Sequence, residues 1–327
     1  MAKQVYNRVY SAQKWEQVNP FNKGALDDYI QECKAQGKTP ATVKQYYNDG
    51  RIILIYILEK LRNKELHRLR KKDFRNFTLY LQDNGMSASR INRLLVTART
   101  FLNFCMEDDE YMDDFEDCKL NPSRIRGTKK EKRREIVFLE DAEIQVIYGY
   151  LIDHQRYSEA LLCAIMYDGA IRRKEAFQIK RYDISLDSNI CKETIRGKGG
   201  KQYRPLYNDM SKEAYKLLEE SRNDDSDSLW LTKQGTPASY ETLYNQVISW
   251  RKILEKEYGV KKDFNPHSFR HSALENLKRG THYIAVKLNK KFELTELQKL
   301  ANHSDISTTQ GYLKEDDEEV LLEAFGI

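Results

Sequence analysis

No apolar run in this 327-residue chain is long enough to cross a bilayer. Its opening stretch, MAKQVYNRVYSAQKWEQ, also lacks the apolar core of a secretory signal. A membrane or exported protein is therefore not expected, and a cytoplasmic location is. The five cysteines, at 33, 105, 118, 163 and 191, form no Cys-x-x-Cys pair, which argues against a disulfide framework and against a zinc site. The pattern Gly-x4-Gly-Lys-Ser/Thr is absent, so a phosphate-cradling P-loop is excluded. Internal repeats and low-complexity tracts are missing too. Nor is the chain strongly basic: 55 Lys and Arg stand against 50 Asp and Glu, a net charge of +5.

What is present is charge in the wrong proportions locally. Basic residues crowd positions 60–72 (KLRNKELHRLRKK) and 124–134 (RIRGTKKEKRR), while acids crowd 107–117 and 315–319. Segregation of this kind favours one polyanion-binding surface over uniform solvation. With 40% apolar residues and a mean hydropathy of −0.75, the length suits two domains, each with its own core.

Residues 1–20 show no period and read as an arm. Helical periodicity begins near Lys23, with Ala25, Tyr29, Ile30 and Cys33 forming a stripe that ends at Gly37. Thr39-Pro40 opens a second helix, with Thr39 as N-cap and proline at the first helical position. Ser87 or Ser89 caps a further helix on which Ile91, Leu94, Leu95, Ala98, Leu102 and Cys105 recur at helical spacing. Arg90, Arg93 and Arg99 fall largely off that stripe and are candidates to face a phosphate backbone. This block spans residues 21–122. Residues 123–135 are polar and aperiodic and read as a linker whose Arg124, Arg126, Lys129, Lys130, Lys132 and Arg133 suit a strap across duplex DNA, because each neutralised phosphate releases counterions.

A second domain is expected over 136–327. Helices are predicted at 139–151, 156–167, 211–221, 240–258 and 266–279. Between them, residues 183–204 predict a small antiparallel sheet with hairpin turns, one of them at Gly197-Lys198-Gly199-Gly200. The fold class is thus mainly α with a small antiparallel sheet.

Candidate chemistry gathers in this domain, in the order Arg, Lys, His-x-x-Arg, His, Tyr. Arg172 lies at a turn-to-helix junction with Glu175 three residues on, and Lys198 lies at a probable turn tip. His267 and Arg270 share a helix face. His303 follows a short apolar run, and Tyr312 follows two threonines. A tyrosine nucleophile surrounded by cations suits attack on a phosphodiester.

These motifs resemble the tyrosine recombinase (phage integrase) family. That family shows Thr-Gly-Leu-Arg-x-Ser-Glu, a β-turn lysine, His-x-Leu-Arg-His and Leu-Gly-His-Ser-x-Ile-x-Thr-Thr-x-x-Tyr. Here the last two stand as His267-Ser-Phe-Arg270-His271 and Leu300-Ala-Asn-His303-Ser-Asp-Ile-Ser-Thr-Thr-Gln-Gly-Tyr312. The match covers residues 136–327, and the helical block before it resembles the family's core-binding domain.

The resemblance implies a mechanism. Tyr312 would form a 3′-phosphotyrosyl link, and Arg172 and Arg270 would hold the non-bridging oxygens. Lys198 would protonate the departing 5′-oxygen. His267 would assist proton transfer at the tyrosine, His303 would donate to the phosphate, and Glu175 would orient Arg172. No metal or other cofactor is implied. The two domains would clamp double-stranded DNA, as a dimer on one site and a tetramer in synapsis, with the apolar segment 320–325 (VLLEAF) docking on a neighbouring protomer.

Two positions depart from the pattern. Ala301-Asn302 replaces Leu-Gly, and asparagine enters the left-handed conformation such a turn needs. Gly169-Ala-Ile-Arg172 carries one residue more between Gly and Arg, which leaves Arg173 as an alternative to Arg172. If that residue turned the arginine away, the expected protein would be a DNA-binding repressor or architectural protein without strand transfer. A type IB topoisomerase shares the Arg-Lys-Arg-His-Tyr logic, but the compact helical first block and the Leu-x-x-His-Ser motif favour the recombinase.

Overall fold

Two prolines frame the first half of the chain. Pro20 and Pro40 each occupy the first turn of a helix, where the missing N–H leaves no ladder bond unmade. The computed structural model describes residues 9–129, 136–232, 234–302 and 309–310. The chain divides into two compact units, Met1–Arg134 and Glu135–Ile327, each with a separate hydrophobic core.

The first unit consists of α1 (Ala12–Glu16), α2 (Pro20–Ala35), α3 (Pro40–Lys60), α4 (Lys71–Asp83) and α5 (Ala88–Glu107). Side chains set the starts. Asn19 accepts from the Phe21 amide at 2.8 Å, Thr39 from Thr42 at 3.3 Å, and Ser87, rather than Ser89, from Arg90 at 3.4 Å. The stripe on α5 is buried as its spacing predicts. Helix α3 is buried continuously from Ile52 to Ile57 because it packs against both α2 and α5.

Two segments differ from their sequence reading. Residues 9–19, read as part of an arm, belong to the first core: Val9 and Val18 are buried on either side of α1. A five-residue helix is too short to display a period. The segment read as a linker is fastened to α5 as far as Thr128. Ile125 is buried, and its carbonyl accepts from Arg99 Nη1 at 2.8 Å. The Asn92 side chain satisfies both backbone groups of Thr128, donating to its oxygen at 2.9 Å and accepting from its amide at 2.7 Å. One side-chain amide replaces a strand partner here, and that leaves no periodic signal.

The second unit is built around α7 (Tyr157–Asp168), in which every residue from Glu159 to Asp168 is buried. Around it pack α6 (Asp141–Asp153), α9 (Asp209–Ser221), α10 (Tyr240–Tyr258) and α11 (Pro266–Arg279). Full burial of each Leu, Ile or Met contributes roughly 1.5–3 kcal/mol, so α7 is the centre of this core. Polar groups inside it are paired. The Trp250 indole donates to Glu159 at 2.9 Å, and Asn276 donates to the Tyr167 hydroxyl at 2.8 Å. Helices α10 and α11 stop where glycine permits a left-handed cap, at Gly259 (φ 73°) and Gly280 (φ 78°).

The remaining elements are the short α8 (Arg173–Ala176), β1 (Ile195–Arg196), β2 (Gln202–Tyr203), α12 (Tyr283–Leu288) and α13 (Leu294–Leu300). The expected sheet is small: among the described residues its ladder is β1 against β2, antiparallel, with Ile195 opposite Tyr203. The fold is mainly α with this one hairpin. No helix among the described residues is long and apolar enough to cross a membrane.

Candidate active site

Construction of the site starts at Asp168, the last residue of α7. Its buried carboxylate accepts from the Ser211 and Tyr283 hydroxyls, both at 2.6 Å, and from the amides of Asn208 at 2.9 Å and Ser211 at 3.2 Å. Burial raises its pKa, and the four donors oppose that rise. One side chain thereby ties the end of α7 to α9 and α12. The chain then turns sharply. A β-carbon on Gly169 would lie 2.4 Å from the backbone oxygen of Leu206, so no larger residue fits. Ala170 follows in the left-handed region at φ 47°.

That turn corrects the concern raised by the spacing of the first arginine motif. The additional residue does not swing Arg172 away. Ala170 adopts the positive φ that glycine would supply two residues before the arginine, and the strain of a left-handed alanine is absorbed within a sealed core. Arg172 then caps α8: its amide donates to Glu175 Oε2 at 2.7 Å and its Nη1 to Oε1 at 2.8 Å. The Trp230 indole donates to the Ala176 carbonyl at 2.9 Å, which holds the far end of the same short helix.

Arg270 comes from α11 and is 1% exposed. Its Nη1 donates to the Ala170 carbonyl at 2.5 Å and its Nη2 to the Ala301 carbonyl. Nη1 also stands 3.8 Å from Glu175 Oε2. One buried carboxylate therefore lies between two guanidinium groups. Planar guanidinium forks suit the non-bridging oxygens of a phosphodiester, which they engage with paired donors.

His267 lies one turn before His271 on α11, with ring centroids 4.8 Å apart and planes at 88°. Its pKa is pushed down to about 4, by burial of the ring and then by the neighbouring His271, Arg270 and Arg172. The outer surface of the residue is exposed, so water screens part of that effect. The downward direction follows from the neighbours. A neutral imidazole beside two arginines is a hydrogen-bond acceptor at neutral pH.

The β1–β2 hairpin closes one side. Gly197 donates to the Lys201 carbonyl at 2.8 Å. A β-carbon on Gly197 would meet Asn302, Tyr203 and the Glu175 carboxylate at 3.3–3.4 Å, so the start of the turn lies against the site. Tyr203 stands beside Glu175. Burial, and then that carboxylate, hold its pKa well above the usual phenol range. Asn302 is left-handed, with φ 50°. The side chain of Lys198, and all of His303 and Tyr312, lie outside the described residues.

Arg172, Glu175, His267 and Arg270 are thus brought together. Tyr203, Ala170 and the Ala301 carbonyl were not anticipated. The signal for Tyr203 was its register opposite buried Ile195 across a glycine-rich turn; the two carbonyls had none. Arg173 faces elsewhere: its guanidinium lies 3.8 Å from the Tyr240 ring centroid and 4.9 Å from that of Tyr244, and Nη1 donates to the Tyr240 carbonyl at 3.0 Å. Among the proposed DNA contacts, Arg90 and Arg93 pair with Asp49 at 2.6 and 3.4 Å, and Arg99 holds Ile125. Arg124, Arg126 and Lys129 are exposed, while Lys130, Lys132 and Arg133 lie outside the described residues. No group of three or more His, Cys, Asp or Glu among the described residues is arranged to hold a metal ion.

Fold and site together define a catalytic unit of the tyrosine recombinase class. The chain belongs to the phage integrase family, whose model matches residues 137–319. Among curated relatives it is 25% identical to the tyrosine recombinase XerD of Listeria monocytogenes, over 85% of this chain and 89% of that protein. It is 24% identical to the SPbeta prophage-derived recombinase-like protein YomM of Bacillus subtilis, over 90% and 87%. Among solved structures it resembles the Tn1549 transposon integrase in complex with transposon right end DNA, with TM-score 0.65, 16% identity and 93% and 99% of the two chains covered. A lambda integrase tetramer bound to a Holliday junction gives TM-score 0.66, 15% identity and 96% and 82% coverage. At these identities the structural likeness is one of fold.

Proposed function

We propose that this protein is a site-specific recombinase of duplex DNA, and that it acts in the cytoplasm. Tyr312 attacks the scissile phosphate, giving a 3′-phosphotyrosyl link and a free 5′-hydroxyl; attack by another 5′-hydroxyl reverses the step. Arg172, rather than Arg173, and Arg270 hold the non-bridging oxygens, where charge accumulates in the transition state. Glu175 orients both. His267, kept neutral, accepts the hydrogen bond of the tyrosine hydroxyl, whose reference pKa of ~10 disfavours a spontaneous phenolate. Lys198 protonates the leaving oxygen and His303 donates to the phosphate. These roles require no metal.

The observation that carries the reading is the Arg172–Glu175–Arg270 cluster: two guanidinium groups on one carboxylate, built from segments about a hundred residues apart inside the matched family region. Arg90, Arg93 and Arg99 on α5, with Arg124, Arg126, Lys129, Lys130, Lys132 and Arg133, are assigned to contact with DNA. Assembly follows the pattern of the lambda integrase structures, a dimer bound to a core site and a tetramer bound to a Holliday junction. Residues 320–325, outside the described residues, are assigned to contact between protomers.

The test is denaturant-resistant capture of protein–DNA adducts from fragmented genomic DNA, wild type against Tyr312→Phe. Adducts made by wild type alone and enriched for one sequence support the reading and supply the target. Reversible binding of one sequence by both proteins, without adducts, overturns it in favour of a repressor.

A further inference from the structure

Asp49 is fully buried in the middle of α3, one turn before the apolar run that fills the first core. Its Oδ1 meets Arg90 Nη2 at 2.6 Å, and its Oδ2 meets Arg93 Nε at 3.4 Å and accepts from the Thr97 hydroxyl, also at 3.4 Å. All three partners come from α5. Their exposure is graded: the Arg90 side chain is 19% exposed and that of Arg93 44%. The carboxylate thus lies under two arginines, one nearly covered and the other reaching solvent.

The same stretch of α5 carries the fastened basic segment. Contacts Arg99–Ile125 and Asn92–Thr128 run antiparallel to the helix, and they lay exposed Arg124, Arg126 and Lys129 beside it. The first unit therefore carries basic residues on two flanks of α5, this strap along one and Arg90 with Arg93 along the other, with Asp49 buried against the second.

We propose that Asp49 is a positioning residue for sequence discrimination: it fixes the orientation of Arg90 and Arg93 so that their flank distinguishes duplex sequences as well as attracting phosphates. The inference rests on the DNA-binding reading above and adds to it. Packing alone does not account for the residue, because an apolar side chain at a buried ion-pair position is often as stable or more so. Attraction to DNA does not account for it either, since a carboxylate under a basic face lowers the potential that draws a polyanion. What a buried acid supplies is direction. Arg90 is itself mostly covered, with its Nη1 buried, so it is Arg93, held at its Nε edge and 44% exposed, that presents its remaining donors along a fixed line. Recognition of a base edge depends on that geometry, whereas a phosphate contact carries no sequence information.

The experiment uses the full chain and a library of random-sequence duplexes at physiological salt, with bound duplexes sequenced. The proteins are wild type, Asp49→Asn, Arg93→Ala and the Arg90→Ala/Arg93→Ala double variant with and without Asp49→Asn. For Asp49→Asn we expect retention of bulk random duplex to hold or rise, since a negative charge is lost. Enrichment of the preferred sequence should fall about tenfold or more. In the double-variant background, Asp49→Asn should change enrichment no further. A purely structural role would instead lower thermal stability and both kinds of binding together.

Equal enrichment by Asp49→Asn and wild type overturns the inference and leaves the DNA reading intact. Absence of any duplex retention by wild type removes both. Should Asp49→Asn fail to fold, Arg93→Ala decides the matter, because that side chain is 44% exposed and lies outside the core: flattened enrichment supports the inference and unchanged enrichment overturns it.

Discussion

Arg270 donates to the carbonyl of Ala170, one hundred residues earlier in the chain, at 2.5 Å. The acceptor is the left-handed residue that turns the backbone from α7 toward Arg172. The same guanidinium reaches the Ala301 carbonyl at the end of α13. Arg270 is therefore as much a structural fastener as a cation of the site.

Arg270→Lys tests this double role. An ammonium group cannot span both carbonyls, and one buried acceptor is left unpaired. We expect a loss of about 1–3 kcal/mol in unfolding free energy, measured by denaturant titration, together with loss of adduct formation. Unchanged stability would show that the carbonyl contacts contribute nothing net.

Glu175→Gln keeps the size of the side chain and removes the charge between Arg172 and Arg270. Duplex binding by the first unit should persist while adduct yield drops by about tenfold or more, read as covalent product per bound complex. Parallel loss of binding and adduct would contradict an orienting role.

Gly169→Ala places a β-carbon 2.4 Å from the Leu206 oxygen. The backbone must shift, at a cost of about 1–3 kcal/mol. Thermal melting checks the stability, and adduct capture checks whether the shift reaches Arg172.

Acid sensitivity follows from two histidines. Burial pushes His282, stacked on Tyr167 at 4.0 Å, down to about 3, and His267 is lowered to about 4. Below the ordinary value of 6.5 the unfolded chain binds protons that the folded chain refuses. Their contribution to stability is therefore full above pH 6.5 and is lost as pH falls from 6.5 toward 4 and 3. The melting temperature should fall over that window. His282→Asn retains an acceptor for the Ile284 amide without titrating there; it should melt lower at pH 7 but show a shallower acid slope.

Asn92→Ala releases the Thr128 clasp. Stability of the first unit should drop by about 1–2 kcal/mol, and the proposed role of the strap on phosphate predicts that duplex affinity weakens across all sequences alike. Filter binding on two unrelated duplexes measures the second effect.

Much of this architecture was legible in the sequence wherever local chemistry repeats or terminates cleanly. Helices α10 and α11 occupy the residues their periodicity predicts, because Ser239 and Asn265 cap their starts and glycine ends them. Asn302 takes the left-handed turn anticipated for it. Ala170 was not readable, since positive φ is ordinarily assigned to glycine and only a sealed environment sustains it in alanine. Nor was Asp49, whose partners lie some forty residues away and whose burial no pattern on α3 announces. The fastening of residues 123–128 escaped because a single asparagine side chain does the pairing. Local rules fail where one long-range polar contact replaces a repeating one.

The grip of Arg270 on two distant carbonyls has a consequence for a protein of a DNA-cutting family. A half-made chain, or one whose final helices have not yet settled, has no fixed second arginine and so no oriented anion cradle. Readiness to cut is then a property of the completed tertiary structure, and incomplete synthesis or local melting disarms the molecule before it meets DNA.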